Sequence, residues 1–146
     1  MIITGEEILS WATEKRDAAL AEITELTRLL RPGDTVPLSI DRLAAINKAG
    51  RAVFYVEDNH IVGCGNIVVY PSLATDMPTL ENVAVNPAFR RRGIARSLVE
   101  DLIKWAKDRR LWRVALLTEP DNEGARALYR SLGFQEVELI RGRLRL

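Results

Sequence analysis

Val83-Ala84-Val85-Asn86-Pro87-Ala88-Phe89-Arg90-Arg91-Arg92-Gly93-Ile94-Ala95-Arg96 is the stretch on which the reading of this chain turns. An apolar, β-branched run breaks at Asn86-Pro87 and resumes as a helical pattern at Ile94, so a strand feeds a helix through a short loop. The first turn of a helix carries N–H groups without internal partners, and the helix dipole adds positive potential there. Together these make an anion site, which suits phosphate. Gly93 has no Cβ and lets a bulky anion approach the backbone, and Ala95 is nearly as small. Arg90, Arg91, Arg92 and Arg96 bring full charges and forked donors. Neither G-x-G-x-x-G nor G-x-x-x-x-G-K-[ST] occurs, so a dinucleotide or nucleoside-triphosphate loop of the usual kinds is excluded.

Working outward, Ile94 to Arg109 reads as a strong amphipathic helix with Ile94, Leu98, Leu102 and Trp105 on one face. Met77 to Val85 reads as the strand before it. Upstream, Ala52–Val56 and Ile61–Tyr70 form a hairpin about the turn 57–60. Lys15 to Leu30 has helical periodicity, ending at Arg31-Pro32-Gly33-Asp34, and Ser39 is the N-cap of a short helix carrying Leu43 and Ile46. Ile8 to Thr13 is expected to be a first strand. Downstream, Arg113 to Leu117 is expected as a short strand and Asn122 to Leu132 as a helix with Gly133 past its end. Strand is expected from Phe134 on, with Arg141-Gly142 at the tip of a last hairpin. The central strand–helix–strand unit implies one parallel strand pair in an otherwise antiparallel sheet, an α/β (α+β) fold with about four flanking helices.

The chain of 146 residues suits one domain, over 1–146. Lys and Arg total 21 against 20 for Asp and Glu, a net charge of +1 that argues against a dedicated nucleic-acid or membrane-surface binder. One cysteine and one histidine leave no disulfide, no multi-cysteine metal site and no histidine triad, so no metal is expected. Cys64, between Gly63 and Gly65, reads as a small buried residue, His60 as exposed in a turn, and Trp11, Trp105 and Trp112 as core or half-buried. The first residues do not have the pattern of a secretion signal and no apolar run is long enough to span a bilayer, so a cytoplasmic location is the default expectation.

With these motifs in hand, the sequence resembles the GNAT superfamily of N-acetyltransferases. The resemblance runs from about Thr79 to Glu136. Leu80 to Pro87 is similar to the family's fourth strand, Arg90-x-x-Gly93-x-Ala95 to its pyrophosphate signature, and Asn122 to Phe134 to its N-x-x-A-x-x-x-Y-x-x-x-G-F segment. The stretch looks most like the bacterial ribosomal-protein alanine acetyltransferases. It departs from them at Leu117, where they place a glutamate on the fifth strand, and this counts against a protein N-terminus as acceptor.

The resemblance implies an acetyl-CoA cosubstrate whose pantetheine arm enters between splayed fourth and fifth strands and pairs with the main chain of Val83, Ala84 and Val85. It implies that backbone amides from Arg91 through Gly93, Ile94, Ala95 and Arg96 to Ser97 hold the diphosphate. Arg90, Arg91, Arg92 and Arg96 add charge, also toward the ribose 3′-phosphate. Asn122, with Ala125 behind it, bonds the pantetheine. Tyr129 is the candidate catalytic acid, since a positioned phenol stabilises or protonates the departing CoA thiolate. The attacking amine must shed a proton, and Glu81, directly or through water, is the first candidate to accept it, with Glu119 second. The acceptor is a small-molecule or protein amine, and the protein a monomer or homodimer. The alternative is a non-catalytic acetyl-CoA sensor of the same fold.

Overall fold

The computed structural model describes residues 1–138, 142 and 144. The chain runs β1 (Ile2–Thr4), α1 (Gly5–Leu9), α2 (Thr13–Arg28), α3 (Ile40–Ala49), β2 (Gly50–Glu57), β3 (His60–Tyr70), β4 (Met77–Val85), a 3-10 turn (Pro87–Phe89), α4 (Ile94–Asp108), β5 (Ala115–Leu116) and α5 (Glu123–Ser131). The five strands lie in chain order in one sheet. β1 to β4 pair antiparallel, whereas β4 and β5 run parallel with Thr79 opposite Ala115 and Leu80 opposite Leu116. The expected parallel pair is therefore present.

The expected first strand is not. Thr4 accepts a hydrogen bond from the Glu7 N–H, and the Glu7 carboxylate accepts one from the Thr4 N–H. This reciprocal capping box turns the chain into α1 and carries Ile8 into the core, while the strand falls earlier, at Ile2–Thr4. Trp112, expected to be core or half-buried, is 69% exposed beneath the Arg113 guanidinium. Phe134 to Glu138 lie in no regular element, and Arg141, at the expected hairpin tip, lies outside the described residues. No helix among the described residues is long and apolar enough to cross a membrane.

The sheet is packed on both faces. Ile8, Leu20, Ile23 and Leu43 from α1 to α3 meet Phe54, Cys64 and Ala84 on one side. On the other, Leu98, Val99 and Leu102 of α4 are wholly buried against Val53, Val62, Ile67 and Leu80. α4 settles closely here because β3 presents Gly63, where a Cβ would stand 2.9 Å from Ile94 Cγ2 and 3.2 Å from Leu98 Cδ1. The Ile94 methyl sits on a stiff β-branched side chain and cannot swing away. Gly63→Val is expected to cost about 1–3 kcal/mol by overpacking, read as a lower urea midpoint at unchanged m-value.

Candidate active site

Two features of β4 build the site. First, its ladder with β5 stops at Leu80, so from Glu81 to Val85 no strand among the described residues pairs with it on that side. Second, β4 bulges. Cys64 pairs with Ala84 but Asn66 with Glu81, so three steps along β4 match two along β3. Asn82 takes up the extra residue with φ 55°, a left-handed conformation that asparagine tolerates. Its amide donates to Asn66 Oδ1 at 2.9 Å, and its carbonyl accepts from the Cys64 thiol at 3.4 Å. The bulge changes which way side chains point. Leu80 and Val83 pack toward α4, while both residues between them, Glu81 and Asn82, line a cavity on the opposite face.

That cavity has a volume of about 260 Å³ and runs from the bulge, past Asn66 and Phe54, to the α2–α3 loop. Tyr70 Oη donates to Glu81 Oε1 at 2.7 Å. This bond to Glu81 raises the Tyr70 pKa, with burial adding to it, so the phenol stays protonated and the carboxylate stays oriented. Glu119, the second expected base, is exposed beyond β5 and does not line this cavity.

On the other side of β4, the 3-10 turn leads into the arginine loop. Asn86 Oδ1 accepts from the Ala88 N–H at 3.0 Å and shapes that turn. Arg91 and Gly93 both have positive φ, 66° and 78°, and a Cβ at Gly93 would meet nothing within 4 Å. The approach to the backbone is therefore open. No side chain among the described residues caps α4 and its first turn holds no acidic residue, while the other four α-helices each carry at least one there. Ile94, Ala95, Arg96 and Ser97 form that turn. Its positive potential is met by no cap and no first-turn carboxylate of its own.

The arginines are less uniform than their spacing implies. Arg92 pairs with Glu57 at 2.9 Å and lies over Phe89, and Arg90 donates to the Val85 carbonyl at 3.2 Å. Arg96 reaches Ser131 Oγ at 2.6 Å and so ties the start of α4 to the end of α5. Arg91 alone of the four makes no side-chain bond among the described residues. Asn122 Oδ1 accepts from the Ala125 N–H at 3.1 Å, which uses its oxygen to cap α5 and leaves the amide N–H₂ to donate elsewhere.

Tyr129 on α5 is half-buried against the α4 side of the core, as are Val83 and Val85, with its ring edge-on to Phe134 at 5.7 Å. Burial raises its pKa, and its hydroxyl has no hydrogen-bond partner among the described residues. A phenol in that state is protonated and free to donate. Sequence reasoning missed Tyr70, Asn66 and the role of Asn82. The available signal was two asparagines interrupting apolar strand runs. It also missed that exposed His60 meets Glu22, Nδ1 to Oε1 at 2.6 Å.

The chain belongs to the acetyltransferase (GNAT) family, whose model matches residues 17–134. It is 44% identical over 66 residues to a ribosomal-protein-alanine N-acetyltransferase of Salmonella typhimurium, covering 45% of each chain. It is 38% identical over 92 residues to an N-alpha-acetyltransferase of Mycobacterium tuberculosis, covering 57% of this chain and 56% of the relative. The chain thus spans about half the length of these curated relatives. A solved aminoglycoside antibiotic 6'-N-acetyltransferase of Acinetobacter haemolyticus has the same fold, with TM-score 0.72, 24% identity and coverage of 100% of this chain and 98% of that one.

Cys64 lines the cavity and is the one thiol a covalent route could use, yet burial pushes its pKa up to about 12. At pH 8 a thiol of that kind is about 10⁻⁴ thiolate. Native protein is expected to leave a chromogenic disulfide reagent unreacted at pH 8 over an hour and to release one equivalent of chromophore in guanidinium. Rapid release from native protein would place the sulfur in solvent.

Proposed function

We propose that the chain is an acetyl-CoA-dependent N-acetyltransferase, acting as one domain over residues 1–146, that moves the acetyl group to a primary amine by direct attack on the thioester. The observation that carries this reading is an uncapped helix start led by Gly93, set beside a strand edge that has lost its neighbour. In this reading the first-turn amides of α4 bind the diphosphate, with Arg91 adding charge. The exposed main chain of Val83 and Val85 pairs with the pantetheine amides as an added strand would, and the Asn122 N–H₂ group donates to the same arm.

The acceptor enters from the Glu81 cavity, across β4 from the cosubstrate. Glu81 takes the proton that an alkylammonium must lose, directly or through water. The neutral amine forms a C–N bond to the thioester carbonyl carbon, and the tetrahedral intermediate collapses by breaking C–S. The thiolate leaves with its charge met by the Tyr129 hydroxyl, which donates to it or protonates it, and the second amine proton, shed as the amide forms, returns to the phenolate or goes to the thiolate. The raised pKa of buried Cys64 favours this direct transfer over an acetyl-cysteine intermediate.

Tyr129→Phe is expected to lower kcat by about 10²-fold or more while the CoA dissociation constant, read by calorimetry, changes less than threefold. Unchanged kcat would remove Tyr129 from the reaction. Tight acetyl-CoA binding with no thiol release over a broad amine panel would instead favour the sensor reading. No heat with CoA at all would sink both.

A further inference from the structure

The cavity that ends at Glu81 is electrically two-ended. Its inner end is formed by Glu81, Asn82 and the buried Asn66. Its rim is formed by the exposed residues Arg31 and Asp34 of the α2–α3 loop and Arg42 in the first turn of α3. Neither the Arg31 nor the Arg42 guanidinium makes a hydrogen bond or ion pair among the described residues. Arg28, Arg51, Arg92 and Arg126, by contrast, are each held by a carboxylate. The rim is nonetheless built. The Leu38 N–H donates to Thr24 Oγ1 at 2.9 Å, the Thr35 hydroxyl donates to the Arg31 carbonyl at 2.9 Å, and Ser39 caps α3 through the Arg42 N–H.

We propose that the acceptor is a small primary amine bearing one anionic group, carboxylate or phosphate, held with the amine at Glu81 and the anion at Arg31 and Arg42. This rests on the transferase reading above and names the substrate class of that same cavity. Two guanidinium groups against one carboxylate leave the rim net positive, while the inner end holds a carboxylate. An amine with a terminal anion matches both ends. A polycation would bring a second ammonium against two guanidinium groups, and a neutral amine would leave the rim unmatched. The volume of about 260 Å³ lies at the small end of ligand sites, which suits a molecule of amino-acid size.

The test compares four amines of matched length: an amino acid, its primary amide, an aminoalkyl phosphate and a diamine. Thiol release from acetyl-CoA gives kcat and KM, and calorimetry with CoA present gives amine affinity independently of turnover. At least one anionic amine is expected to show KM tenfold or more below the amide and the diamine. Arg42→Gln and Arg31→Gln are each expected to raise that KM roughly ten- to hundredfold, with kcat within about threefold, since a charge-assisted bond is lost from both ground and transition states. Unchanged thermal melting confirms that the variants fold. Which anionic amine leads distinguishes carboxylate from phosphate. Turnover that favours the amide or the diamine overturns this assignment and leaves the transferase reading intact. Arginine-dependent binding of the anionic amine without turnover supports the anion subsite and overturns the transferase reading. Neither binding nor turnover of the anionic amines overturns the anion subsite, and calorimetry with CoA alone then decides the fate of the transferase reading.

Discussion

The hydrogen-bond ladder between β4 and β5 ends after two residues, and the rest of the site depends on that ending. A parallel strand pair normally satisfies main-chain groups along its whole length. Here β5 is two residues long, so among the described residues the later half of β4 keeps its β3 neighbour on one side and has an open edge on the other. Only such an edge can bond an extended ligand as a further strand. β4 stays in place despite the lost neighbour because β3 holds it through the bulge and α4 packs beneath it with Leu98 and Leu102 wholly buried.

The bulge and the arginine loop divide the work between the two faces of one strand. Adding a residue at Asn82 turns Glu81 and Asn82 to the same side, away from Val83. Strict alternation would have sent one of them into the α4 core. A carboxylate is thereby aimed into the cavity on one face, while Val83 packs on the α4 face. On the α4 side the Arg96–Ser131 bond fixes where α5 stands relative to the helix start, and hence where the Tyr129 ring stands relative to the first turn of α4. The left-handed conformation of Arg91 costs on the order of 1 kcal/mol, a strain accepted where the backbone must curl ahead of Gly93.

Much of this was legible before any coordinates. Strong periodicity located α4, and alternation with turn residues located the β2–β3 hairpin and the bounds of β4. Asn122 caps α5, and Gly133 has φ 90°, both as their residue types suggest. The misses have physical causes. At the N-terminus the apolar residues around Ile8 outweighed the Thr4–Glu7 capping box, which acts through only two hydrogen bonds. Asn82 interrupts the apolar run of β4, but its residue type alone does not say that the backbone there turns left-handed, so the bulge, and with it the Tyr70–Glu81 pair, could not be read from the pattern. Glu57 claims Arg92 from 35 residues away, a pairing that no local pattern encodes. The cavity draws on α2, α3 and three strands at once, so it exists only in the folded chain.

Glu22 has a consequence of a different kind. Its two carboxylate oxygens take the His60 ring and the Ile61 N–H, which clasps the tip of the β2–β3 hairpin to the middle of α2. Helix and hairpin are thereby pinned to each other, while part of the cavity wall is supplied by the eleven residues that join α2 to α3. Substitutions in that connector change the wall of the cavity and leave the Glu22 clasp, β4 and the start of α4 as they are.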